Sequence, residues 1–153
     1  MIFMKIITGL CLLTLIALFS CKKNKFTTAP QVTVKSVAPG EVSLGDIITV
    51  DAKFTDDEGD IDSVLVVLKY YAVDSVTFTD TSRNSLDGLG LPAKTREGDM
   101  SVQFDYGTNN SGYPILSNSP VAKDTTATFG LILIDRAAHR SNYSESGKIR
   151  LKS

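Results

Sequence analysis

From Gln31 to the C-terminus the apolar residues of this chain recur at every second position. Ile48, Val50, Ala52 and Phe54 alternate with Thr49, Asp51 and Lys53, and Met100, Val102, Phe104 and Tyr106 alternate with Ser101, Gln103 and Asp105. A period of two puts successive side chains on opposite faces of a strand, so each run predicts one face turned to a core and one to water. Further strand-like runs lie at Val32 to Val37, Val64 to Val73, Val76 to Phe78, Ala127 to Ile134 and Lys148 to Leu151. Turn formers separate them: Pro39-Gly40, Asp56 to Asp60, Gly98-Asp99, Gly107 to Pro120 and Ser144 to Gly147. No long stretch of helical period competes. About seven short strands between turns predict an all-β fold of two packed antiparallel sheets, a β-sandwich.

The first 20 residues break the pattern. Ile6 to Phe19 is apolar except for Thr8, Gly9 and Thr14, with Lys5 before it and Lys22, Lys23 and Lys25 after it. It falls short of the roughly 20 residues a spanning helix needs, and the lysines stand on the side that would be translocated, so a cleaved secretion signal is expected. The junction Leu18-Phe19-Ser20-Cys21 resembles the lipobox of bacterial lipoproteins: a Leu, a variable residue, a small residue, then Cys. The resemblance implies removal of residues 1–20, acylation of the Cys21 sulfur and of its new amino group, and an anchor of more than one chain that holds firmly to a bilayer. In Gram-negative members of that family an Asp directly after the Cys retains the protein at the inner membrane. Lys22 stands there instead, which implies the outer membrane. The alternative is an ordinary secretory signal in which Cys21 is incidental. Of the two cysteines, Cys11 leaves with the signal, so no internal disulfide can form.

Residues 22–30 lack periodicity and end in Pro30, so they read as a tether able to extend about 30 Å. The expected organisation is therefore a signal peptide at 1–20, a lipidated Cys and tether at 21–30, and one sandwich at 31–153. Four of the 16 Lys and Arg precede Gln31, so the folded part carries 12 cations against 17 Asp and Glu. An acidic domain disfavours nucleic acid as a partner, while lysines beside Cys21 favour an anionic lipid surface.

Phe54-Thr55-Asp56-Asp57-Glu58-Gly59-Asp60-Ile61 looks like the acidic turn of bacterial extracytoplasmic immunoglobulin-like and cadherin-like modules. Ile134-Asp135-Arg136-Ala137-Ala138-His139-Arg140-Ser141-Asn142 is similar to their final hairpin, with Ala138-His139 where those modules often carry Gly-Asn. Antibody-type features, a paired Cys and a core Trp, are missing. The resemblance implies immunoglobulin strand order, which brings the Asp56 to Asp62 and Asp135 to Asn142 loops to one end. Asp56, Glu58, Asp60 and Asp135 are then candidate calcium ligands, because calcium takes about 6–8 oxygens in irregular geometry. The EF-hand pattern is excluded, since Gly59 stands at the wrong offset and the closing Glu is missing. Against calcium, Arg136, Arg140 and His139 can neutralise the same acids as a solvated turn, and this second reading carries more weight.

The only histidine is His139, and no serine sits in a nucleophile-elbow pattern. No phosphate-cradling glycine loop and no zinc-ligand spacing occurs, which leaves carboxylate-based hydrolysis as the one enzymatic alternative. If Val64, Val66, Leu68 and Tyr70 face inward, then Leu65, Val67, Lys69 and Tyr71 face out. If Phe129, Leu131 and Leu133 face inward, Ile132 and Ile134 face out beside them. That apolar patch is expected to be covered by the segment Thr81 to Glu97 with Leu86, Leu89 and Leu91, or by a partner. The Tyr, Ser, Gly and Asn mix of Gly107 to Pro120 suits adaptable recognition, with Tyr113 as its aromatic, and this loop is expected to point away from the membrane. Together these readings predict a lipid-anchored envelope protein without catalysis, binding or scaffolding through Tyr113, Ile132 and Ile134, its partner an envelope protein or glycan. No cofactor is expected apart from calcium in the alternative of a calcium-stabilised adhesion module.

Overall fold

The computed structural model describes residues 27–86, 94–109 and 111–153. The predicted signal, Cys21, most of the tether, and Leu89 and Leu91 lie outside the described residues. Nine strands occur among those described: β1 (Gln31–Ala38), β2 (Glu41–Val42), β3 (Ile47–Thr55), β4 (Ile61–Ala72), β5 (Ser75–Ser85), β6 (Glu97–Asp105), β7 (Thr125–Asp135), β8 (Ser144–Glu145) and β9 (Ile149–Leu151). The seven periodic runs are β1, β3, β4, β5, β6, β7 and β9. The two added strands, β2 and β8, span two residues each and are too short to show a period. No described helix is long and apolar enough to cross a membrane.

One sheet has the order β1-β3-β6 and the other β2-β9-β7-β4-β5, with β8 alongside β7. Neighbouring strands are antiparallel except β2 and β9. This is an immunoglobulin-like β-sandwich, in which the chain crosses between sheets after β1, β2, β3, β5 and β6 and the central pair β4 and β7 come from distant segments. Alternation determines the register. Ile48, Val50, Ala52 and Phe54 of β3 face Val64, Val66, Leu68 and Tyr70 of β4 and Phe129, Leu131 and Leu133 of β7 across the core, all buried. Burying one such side chain is worth about 1.5–3 kcal/mol, so a one-residue slip of β3 would forfeit several of these at once. Phe104 and Phe129 stack with centroids 5.9 Å apart. Tyr106, fully buried, donates its hydroxyl to the Lys152 carbonyl at 2.6 Å and accepts from the Val121 amide at 3.1 Å, clamping the end of β6 to the C-terminus.

One expectation about the covering segment changes. Thr81 to Ser85 is not a loop but the second half of β5, paired from Thr81↔Val67 to Ser85↔Ser63. Beyond Phe78 the sequence TDTSRNS is polar at every position and so carries no burial period, yet backbone pairing to β4 extends the strand. At Gly130 the outer face of β7 is covered by its own return segment: the Tyr143 ring lies across it, where an added Cβ would sit 2.1 Å away. The loop after β6 starts at the end of the sandwich opposite the acidic turn. It turns back along the sandwich, with Leu116 buried, the Leu116 amide donating to the Asp105 carbonyl and the Tyr70 hydroxyl donating to the Ser117 carbonyl.

Candidate functional site

The turn between β3 and β4 and the turn after β7 meet at one end of the sandwich. Pairing of β4 with β7 sets Ile61 opposite Asp135, and the Arg136 amide donates to the Asp60 carbonyl at 3.1 Å. The acidic turn is further tied to the strand entering β6. The Asp56 amide donates to the Arg96 carbonyl at 2.8 Å, and Gly59, at φ +66°, lies so close to Lys94 that an added Cβ would stand 2.5 Å from its backbone carbon. Only glycine fits both the left-handed backbone and that approach.

This frame converges Asp56, Asp60 and Asp135, each offering one carboxylate oxygen within 4.8 Å of the others. Asp56 is 0% exposed and Asp135 3%, unusual burial for carboxylates. Asp56 Oδ2 accepts from the Asp60 amide at 2.9 Å, while Asp56 Oδ1 and Asp60 Oδ1 are buried with no hydrogen-bond partner. Burial pushes the Asp56 carboxyl above its ordinary value, and the charges of Asp60 and Asp135 add to this, against the lowering effect of the Asp60 and Gly59 amides. Of the sequence-predicted ligands Glu58 is exposed and stands outside the convergence.

His139 caps Asp135. Its amide donates to Asp135 Oδ1 at 2.8 Å, and its Nδ1 lies 2.8 Å from Oδ2. Ala138, at φ 67°, supplies a left-handed step directly before His139, whose amide turns back onto the carboxylate. Asp62 turns away from the cluster to pair with Arg83 at 3.0 Å. Arg83, Arg136 and Arg140 line a neighbouring cleft of about 440 Å³ with Asp62 and Asp135.

The other singled-out residues lie elsewhere. Ile134 is only 6% exposed, so it is no binding surface: the antiparallel bridge between Ile134 and Arg140 folds the turn over it. Ile132 is half-buried on the same face, opposite Leu65. Tyr113 is 38% exposed and lines an apolar cleft of about 360 Å³ with Phe54, Ile61, Met100 and Leu133, between the edge strands β5 and β6.

Four polar residues not singled out from the sequence prove structurally central. Asp105 is buried and accepts from the Ser111 amide and hydroxyl, holding the loop after β6; an Asp followed closely by Gly and Ser donors was the available signal. Asn142 donates to and accepts from the Val32 backbone at 2.8 and 2.9 Å, and the Ser144 hydroxyl accepts from the Val34 amide, completing the free edge of β1. Glu145 accepts from Lys69 at 3.1 Å and from Thr128, while Lys69 Nζ sits 4.9 Å from the Tyr143 ring centre.

The sequence matches no known protein family and no curated protein. Among solved structures, the PKD domain of an M14-like peptidase from a Thermoplasmatales archaeon is 12% identical over 82% of this chain and 94% of that one, with a TM-score of 0.38. The CARDB domain of a Pyrococcus furiosus protein, solved in complex with di-metal ions, is 9% identical over 88% and 97%, with a TM-score of 0.29. A sporulation control protein from Bacillus subtilis is 10% identical with a TM-score of 0.42, and this chain spans 51% of it. At these scores the likenesses carry no functional inference, and the architecture rests on the strand order described above.

Proposed function

We propose that this protein is a non-catalytic immunoglobulin-like module of the cell envelope, held to the outer membrane through acylated Cys21 and serving there in binding or scaffolding. The observation that carries this reading is where the chain enters the sandwich. The Thr27 carbonyl accepts from the Asp57 amide at 3.4 Å, and β1 begins directly afterwards at Gln31, opposite Thr55. Six residue steps lead from Cys21 to Thr27, a reach of at most about 22 Å. On this reading the acidic end with Asp56 and Asp135 faces the bilayer at close range, and the tether lysines Lys22, Lys23 and Lys25 lie between the two. Cations interposed between an acidic domain and an anionic surface offset the repulsion, each worth about 1 kcal/mol.

The chemistry of the site supports binding over catalysis. The sole imidazole is engaged through Nδ1 by Asp135, and its backbone amide is engaged by the same carboxylate, a geometry that stabilises a turn. Fractionation of cells producing the wild-type protein and Cys21→Ala tests the anchor. Wild type is expected in the outer-membrane fraction and the variant in the soluble periplasm; a variant that remains membrane-bound refutes the lipid anchor.

A further inference from the structure

We propose that Asp56, Asp60 and Asp135 together bind one calcium ion at the end of the sandwich where the chain enters. Oxygens sharing one calcium ion, each about 2.3–2.6 Å from it, stand at most about 5 Å apart, whereas the 2.0–2.1 Å contacts of magnesium limit them to about 4.2 Å. The three carboxylates, with oxygens inside 4.8 Å of one another, meet the calcium limit without rearrangement.

A second observation points to a ligand independently of the clustering. Asp56 has no exposed surface, and its Oδ1 has no donor; Asp60 Oδ1 is likewise buried and unpartnered. A buried anionic oxygen stripped of water is strongly disfavoured unless a cation meets it. Two of the three carboxylates are oriented from outside: the Asp60 amide holds Asp56 through Oδ2, and the amide and ring of His139 hold Asp135. Outer hydrogen bonds that fix the carboxylates while leaving oxygens free are what a metal site requires.

Three protein oxygens leave about three to five of calcium's positions for water or backbone carbonyls, which places the affinity in the roughly 10⁻⁴–10⁻³ M range of extracellular modules. The site joins the β3–β4 turn to the end of β7, so occupancy would brace the two loops beside the tether.

The test uses the full-length acylated protein in detergent, stripped with EDTA and titrated with calcium chloride, then with magnesium chloride, by calorimetry and thermal unfolding. Wild type is expected to bind one calcium ion saturably with a rise in melting temperature, and magnesium at least tenfold more weakly. Asp60→Asn is expected to weaken calcium at least tenfold and, without calcium, to melt no lower than wild type, because one of three like charges is gone. Asp62→Asn, outside the triad, should bind calcium as wild type does. No saturable heat and no melting shift up to roughly 10 mM calcium, above the upper end of that range, overturns the assignment, as does Asp60→Asn binding calcium with wild-type affinity. If Asp60→Asn does not fold, the wild-type comparison decides alone: equal affinities for calcium and magnesium also overturn it.

Discussion

The side chain of Asn142 substitutes for a missing strand along the edge of β1, and replacing it measures what that substitution contributes. In the wild type Nδ2 donates to the Val32 carbonyl at 2.8 Å and Oδ1 accepts from the Val32 amide at 2.9 Å, across 110 residues of sequence. Asn142→Ala removes both bonds and leaves an amide and a carbonyl unpaired beside a side chain that is 1% exposed. At a net 0.5–1.5 kcal/mol per bond the loss is about 2 kcal/mol, reduced toward 1 where water reaches the exposed rim of the turn. For a domain of this size that lowers Tm by roughly 4–8 °C. Asn142→Asp separates the two bonds. It keeps an acceptor for the Val32 amide but sets an anionic oxygen against the Val32 carbonyl, so at pH 7 it should cost at least as much as Asn142→Ala. Below about pH 3.9 the protonated Asp donates again, and its deficit relative to wild type should shrink. Urea unfolding of the soluble Cys21→Ala form at both pH values reads these differences. An Asn142→Ala variant within about 0.3 kcal/mol of its parent, or an Asn142→Asp deficit that does not change with pH, refutes the idea that a side chain completes this edge.

Acid should weaken the outer-face network. Burial pushes the Glu145 carboxyl up, but hydrogen bonds from Thr128, Lys69 and Tyr143 outweigh it and hold the group below its ordinary value of 4.5. A depressed folded value means the stabilisation is present above pH 4.5 and is lost as pH falls through the folded value. Glu145→Gln should therefore be less stable than wild type at pH 7 and converge with it in acid, which chemical denaturation across that window reads; a constant difference would count against the network. At the acidic turn, Gly59→Ala adds a Cβ 2.5 Å from the Lys94 backbone at φ +66°. Left-handed strain and overpacking together predict a loss of about 2–4 kcal/mol, and an unchanged urea midpoint would show that the turn does not pack as described.

Strand existence was legible because burial on one face imposes alternation. Val50, Leu68 and Leu131 could each be assigned inward from their neighbours alone. The meeting of the Asp56 and Asp135 loops followed from immunoglobulin order. What misled the sequence reading were positions where backbone geometry outweighs residue type: β5 extends through the polar Thr81 to Ser85 because β4 offers it a ladder, and Ile134 is buried because its own turn folds back over it.

By itself the sequence determined the all-β class, the principal strands and which side chains form the core, since period two is a local property that each strand carries independently. Tertiary structure alone decided that Asn142 would complete β1, that Tyr143 would roof Gly130, and that Asp56, Asp60 and Asp135 would converge while Glu58 would not. Those outcomes depend on distances between segments far apart in the chain, set by register and turn geometry, and no local pattern of polar and apolar residues encodes them.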